Sequence, residues 1–186
     1  MKRVAVLLAD GFEEVEGLTQ VDFLRRAGIE VTVAGVTGSR VTGGHDIRID
    51  TDTPVEQLDG EFDGVVIPGG MPGAENVAAS SAANDFVRHI FEQGGLVGAI
   101  CAAPAVVLEP LGILKGKKAT CFPGFEQRFK EAEFVTDRVV EQGNIITSRG
   151  PATAGEFAVA LVRYLAGDEA ADELWKRTLQ PLIFGA

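Results

Sequence analysis

The run Gly94-Gly95-Leu96-Val97-Gly98-Ala99-Ile100-Cys101-Ala102-Ala103-Pro104-Ala105-Val106-Val107-Leu108 narrows the choice of fold more than any other stretch. A glycine pair feeds five apolar residues of strand length, and one cysteine follows. The chain then turns Ala-rich, with Pro104 where a helix tolerates proline in its first turn. That order predicts a buried strand running directly into a helix, with Cys101 on the elbow. At a helix N-terminus the unpaired N–H groups favour thiolate over thiol. A cysteine there also reads as a small buried hydrophobe; the elbow position favours a functional thiolate.

The rest of the chain repeats the strand-then-helix alternation. Residues 3–9 read as a first strand. A helix with Glu13 and Glu14 in its opening turn follows, with Val15, Leu18 and Val21 at helical spacing, and it ends at Ala27-Gly28. Residues 29–36 form the next strand, so the start is a βαβ unit and implies a parallel sheet covered on both faces. Gly43-Gly44 suggests a small hairpin within residues 37–52, and residues 54–59 a short helix or loop. Asp63 to Ile67 returns to a central strand and runs into Pro68-Gly69-Gly70. A helix is predicted over residues 82–93, a short strand over 117–121 and a helix start over 123–130. A hairpin is expected around Gln142-Gly143, then helices over 152–165 and 168–178 before the apolar Leu182-Ile183-Phe184. Without linker, repeat or low-complexity stretch, residues 1–186 are expected to form one domain.

A net charge of −10 argues against non-specific binding to nucleic acid or anionic membranes. Two cysteines without a CxxC exclude a disulfide framework and disfavour structural zinc; with only His45 and His89, no metal site is expected. The apolar start is too short and too soon acidic for a secretory signal, and no stretch is long enough to span a bilayer, so a cytoplasmic location is expected.

Ligands of open α/β sheets gather at the carboxyl ends of the strands. Three segments converge there: Glu13 to Glu16, Pro68-Gly69-Gly70, and Cys101-Ala102. Gly69-Gly70 reads as an ordinary tight turn or, with the N–H of Ala102, as an oxyanion hole in which the Gly70 N–H faces the sulfur. Glu13 and Glu14 read as solvated first-turn acids. Glu16 shares a helix face with Gln20 and Phe23; as a carboxyl held near a thiolate in a secluded site, it could stay protonated and donate a hydrogen bond. His89 is expected on the surface or in packing. His45 reads as a loop residue able to reach a site rim. Neither stands where a base for Cys101 belongs, which weakens a protease-like mechanism.

Residues 6–16 (VLLADGFEEVE), Val65-Val66-Ile67-Pro68-Gly69-Gly70, Ala99-Ile100-Cys101-Ala102-Ala103-Pro104 and Thr147-Ser148-Arg149-Gly150-Pro151 together resemble the ThiJ/PfpI superfamily, in the branch of the DJ-1 proteins and their YajL-like relatives. The resemblance implies a flavodoxin-like three-layer α/β/α sandwich, related to class I glutamine amidotransferases, with a mostly parallel sheet. It implies a homodimer with the first helix near its twofold mate, where Gly17 would allow close approach. It also implies Cys101 as an oxidisable elbow nucleophile, Glu16 as its protonated partner, Gly70 and Ala102 as backbone donors, and Gly69, Arg149 and Pro151 in support. No cofactor is implied. The activities implied are glutathione-independent conversion of methylglyoxal to lactate and deglycation of glyoxal adducts on proteins; the alternative is a redox-sensing or chaperone-like protein whose cysteine becomes a sulfinate. Where many relatives carry a histidine before a proline, this chain has Phe122 before Pro123, which puts peptidase chemistry in doubt. Cys121 beside it is a buried strand-end thiol or a candidate resolving cysteine.

Overall fold

The computed structural model describes residues 1–184, and its first strand sets the plan of the molecule. In β1 (Arg3–Leu8), Val4, Val6 and Leu8 join one buried cluster, while Ala5 and Leu7 join another. Alternate residues of a strand point to opposite faces, so a strand apolar from Val4 to Leu8 must be covered on both. The chain continues through α1 (Glu14–Arg26), β2 (Glu30–Gly35), the hairpin β3 (Arg40–Thr42) and β4 (Arg48–Asp50), β5 (Thr53–Pro54) and β6 (Gly64–Ile67). Then come α2 (Gly73–Ala79), α3 (Ser81–Glu92), β7 (Leu96–Ile100), β8 (Lys118–Ala119) and β9 (Glu133–Phe134). The chain closes with the hairpin β10 (Val139–Gln142) and β11 (Ile145–Ser148), then α4 (Ala154–Ala166), α5 (Asp168–Arg177) and α6 (Pro181–Phe184).

The main sheet runs β10-β11-β7-β6-β1-β2-β5, parallel except for β10 against β11. One face is covered by α1, α4 and α5, through Leu24, Phe157, Leu161 and Leu174. The other is covered by α2, α3 and the segment after β7, through Val77, Val87, Ile90 and Leu108. This is the expected three-layer α/β/α sandwich. The chain passes from β1 to β2 on one side and later returns to β6 on the other. The crevice where strand order reverses therefore opens beyond the carboxyl ends of β1 and β6, with β7 next to them.

Gly98 in β7 lets α4 come close: a Cβ there would lie 2.9 Å from Leu161 Cδ2 and 3.1 Å from Phe157 Cζ. Phe157 is fully buried against this bare backbone. Phe157→Ala should lower the unfolding free energy by about 3–5 kcal/mol in denaturant titration; a loss below about 1 kcal/mol would show that this contact does not hold α4 down.

Some local expectations need correction. The helix predicted straight after Cys101 is present but short and of the π type, Pro104–Leu108, in which the Glu109 N–H donates five residues back to the Pro104 carbonyl, at 3.0 Å. The strand expected over 117–121 pairs only at β8, and the helix expected over 123–130 is one turn, Glu126–Arg128. The buried face of α1 is Glu14, Glu16, Gly17, Gln20, Val21 and Leu24, so Val15 turns outward at 51% exposure. Gly17 does not mark an outward contact: a Cβ there would meet Leu8 and Phe12 of its own chain at 3.0 Å. The hairpins over residues 37–52 and around Gln142-Gly143 formed as expected. Among the described residues no helix is long and apolar enough to cross a membrane.

Candidate active site

Cys101 leaves β7 with φ +65°, in the left-handed region that costs a non-glycine residue about 1–2 kcal/mol. Two backbone hydrogen bonds hold it there. Its N–H donates to the Ser148 carbonyl and its carbonyl accepts from the Phe122 N–H, each at 2.9 Å. The bend lifts the side chain out of the sheet, leaving the residue 8% exposed. Gly69 is required beside it, because a Cβ on Gly69 would lie 2.6 Å from Cys101 Cβ and 3.0 Å from its sulfur. The N–H groups of Gly70 and Ala102 act on the sulfur and favour its ionised form, so the glycine turn is more than a loop. Gly70 has φ +84° and no room for a side chain among Gly11, Phe12 and Glu13.

Glu16 reaches this sulfur from the first turns of α1. It is fully buried; its Oε2 accepts from the Gly69 N–H at 2.8 Å, while Oε1 is buried with no nitrogen or oxygen partner. Burial raises its pKa to about 7, although the hydrogen bonds from Gly69 and Cys101 favour the charge. On Cys101, burial and then the Glu16 charge push the thiol up to about 12, against the two backbone N–H groups. Burial and the Glu16 charge thus oppose the thiolate expected from the elbow, while the two backbone N–H groups favour it. The turn after Cys101 is too short to carry many aligned peptide dipoles, and a buried carboxylate beside the sulfur works the other way. Above about pH 7 the pair is a thiol hydrogen-bonded to a carboxylate, and a thiolate arises as the proton crosses to Glu16.

This assignment bears on stability. A carboxyl whose folded pKa is raised binds more protons folded than unfolded, so stability is highest below the unfolded value and falls as pH rises through about 7. Glu16→Gln removes that dependence. At pH 8 the variant should be the more stable protein, by up to about 3 kcal/mol, with the gap closing toward pH 4.5. Parallel denaturation curves at the two pH values check this; a constant gap would mean that Glu16 is not held protonated by burial.

Glu13 and Glu14 were expected in solvent, and the structure corrects this for Glu14. It is 4% exposed; its Oε1 accepts from the His45 N–H at 2.7 Å and its Oε2 lies 2.8 Å from His45 Nδ1. Burial opposes the Glu14 charge, yet the hydrogen bonds from His45 outweigh it and hold the carboxyl below its ordinary value. The same hydrogen bond, with the charges of Glu13 and Glu14, raises the His45 pKa. His45, on the β3–β4 hairpin, thus closes over the start of α1, as a rim residue could. Glu13, Glu14 and His45 bring ligand atoms within 4.8 Å of one another, an arrangement the ion pair itself explains. His89 lies exposed on α3.

The supporting residues divide. Gly150 and Pro151 stand close to the pair: the point a Gly150 Cβ would occupy is 4.0 Å from Glu16 Oε1. Pro151 opens the short turn into α4, and Thr153 Oγ1 ties that turn to Ser148 Oγ at 2.7 Å. Arg149 lies instead toward Phe134, its guanidinium carbon 5.8 Å from the ring centroid, and its charge acts on Cys121. Cys121 is fully buried, and burial followed by the Glu126 charge pushes it up to about 12; both cysteines are free. Sequence reasoning missed Gln20, whose buried amide donates to the Ala154 carbonyl at 3.0 Å and ties α1 to α4. Its place one turn after Glu16 on the same face was the available signal.

A strained cysteine at the end of a central parallel strand, faced by backbone N–H groups and a buried acid, defines an α/β protein with a cysteine at its strand-end elbow. The chain belongs to the DJ-1/PfpI family, whose profile matches residues 2–164. It is 43% identical over 182 residues to protein dj-1beta of Drosophila melanogaster, covering 96% of this chain and 97% of that one. The crystal structure of that fly protein superposes with a TM-score of 0.92, over 96% of this chain and 97% of that one. Toxoplasma gondii DJ-1, in an oxidized form, also gives 0.92 at 37% identity, over 96% of this chain and 98% of that one. The glutathione-independent glyoxalase DJR-1.2 of Caenorhabditis elegans is 35% identical over 167 residues, 88% of each chain.

Proposed function

We propose that the protein is a cysteine-dependent enzyme acting on reactive dicarbonyls, converting methylglyoxal to lactate without glutathione. The observation that carries this reading is the hydrogen-bonded pair of Cys101 thiol and Glu16 carboxyl, the latter titrating at about 7, beside the N–H groups of Gly70 and Ala102. The similarity to a named glutathione-independent glyoxalase supports it. Glu16 accepts the thiol proton as the sulfur adds to the aldehyde carbon. The Gly70 and Ala102 N–H groups stabilise the developing oxyanion, which then takes a proton from Glu16 to give a hemithioacetal. Glu16, ionised again, removes the proton from that carbon to form an enediolate; the hemithioacetal hydroxyl proton passes to the neighbouring oxygen, and Glu16 returns its proton to the neighbouring carbon, leaving a lactoyl thioester on Cys101. Water cleaves the carbon–sulfur bond, releasing lactate and restoring the thiol. Glycated proteins carrying early glyoxal adducts present the same carbonyl carbon and fall within the reading. Lactate release from methylglyoxal with glutathione omitted tests it; its absence at high enzyme concentration overturns it.

A second reading, an oxidisable sensor, is favoured by the same two N–H groups, which would hold the oxygens of a Cys101 sulfinate. Stoichiometric sulfinate after mild peroxide, with no dicarbonyl turnover, would put it first. We further propose a homodimer seated on α1, where Val15 is exposed beside the buried acids; sedimentation at the mass of one chain would contradict it.

A further inference from the structure

An apolar ring stands exposed at the mouth of the site, and the mechanism leaves it unused. Phe122 is 41% exposed although its backbone is pinned to the elbow, its N–H donating to the Cys101 carbonyl at 2.9 Å. The ring rests on Gly150, where a Cβ would lie 3.1 Å from Phe122 Cδ2 and 4.0 Å from Glu16 Oε1. Ring edge and carboxyl oxygen therefore lie within about 7 Å of each other, across a glycine that leaves the space between them open. Phe122 offers no proton and no charge. What it offers a molecule bound covalently at Cys101 is a flat apolar wall on the Glu16 side. Met71, next to Gly70, is a second exposed apolar side chain beside the backbone donors.

We propose that Phe122 selects the substrate: 2-oxoaldehydes carrying an alkyl or aryl group on the ketone carbon, over glyoxal, which carries only hydrogen there. The proposal rests on the dicarbonyl reading above. With the aldehyde carbon on sulfur and its oxygen toward the Gly70 and Ala102 N–H groups, the substituent on the far carbon projects past Glu16 onto the ring. Stacking and apolar contact of that kind discriminate by about tenfold for an aryl group and less for a methyl.

The test compares kcat/KM for phenylglyoxal, methylglyoxal and glyoxal in wild type, Phe122→Leu and Phe122→Ser. Phe122→Ser should lose about tenfold on phenylglyoxal while glyoxal changes less than about twofold; Phe122→Leu should fall between. An equal loss on all three aldehydes would mark a merely structural residue and overturn the proposal, as would unchanged ratios. A second arm does not depend on turnover: labelling of Cys101 by N-phenyliodoacetamide relative to iodoacetamide, located by mass spectrometry. The phenyl reagent should lose its relative advantage in Phe122→Ser. If wild type turns over no dicarbonyl, the enzymatic reading fails, and this ratio alone decides: a fall upholds the apolar wall, an unchanged ratio overturns it.

Discussion

Cys101→Ala should abolish the proposed lactate formation from methylglyoxal, lowering kcat/KM by about a thousandfold or more, to the level of buffer. No other described group can take over. Cys121 is fully buried beneath the elbow, and both histidines lie outside the carboxyl–sulfur pair. The loss should come without a fold defect. An alanine removes only the sulfur from a site with 8% exposure, and the φ of +65° is fixed by the hydrogen bonds to Ser148 and Phe122, which the variant keeps. Lactate assays on variant protein whose circular dichroism matches wild type check both halves. Residual turnover within tenfold of wild type would move the chemistry away from the elbow.

Glu16→Gln keeps the shape and the amide-sized polar group but cannot accept the thiol proton. We expect kcat/KM to fall by about 10²- to 10⁴-fold, the usual worth of a positioned acid–base group. The pH profile separates this role from a structural one. The wild-type rate should climb as the carboxyl ionises at about 7, whereas the variant should lose that rise and depend only on direct thiol ionisation, which burial still opposes once the Glu16 charge is gone. Glu14→Gln makes the contrast: it breaks the clamp to His45 without touching the sulfur, so the rise near neutrality should persist.

The parts of the molecule legible in the sequence are those whose burial is written in consecutive residues. β1 from Val4 onward, β6 and β7 carry no polar side chain, and the elbow follows from the five residues of β7 meeting Cys101 and an Ala-rich run. α2 escaped because Gly73 and the preceding prolines break the local pattern, while its burial comes from the segment after β7. Glu14 was misread because its partner, His45, lies 31 residues away on a hairpin whose position no periodicity reveals. The forces opposing a Cys101 thiolate were hidden for a related reason. A helix N-terminus is visible in sequence, but the burial of the sulfur and the nearness of the Glu16 charge exist only after the chain folds.

The rate of Cys101 alkylation as a function of pH, in wild type and Glu16→Gln, tests most directly whether carboxyl and thiol share one working proton. Wild type should show a rise centred at about 7 and then a plateau, with the variant lacking that rise and following only the direct thiol ionisation that burial opposes. A wild-type sulfur already at full reactivity in mildly acidic buffer, or a variant that follows the wild-type curve, would contradict it.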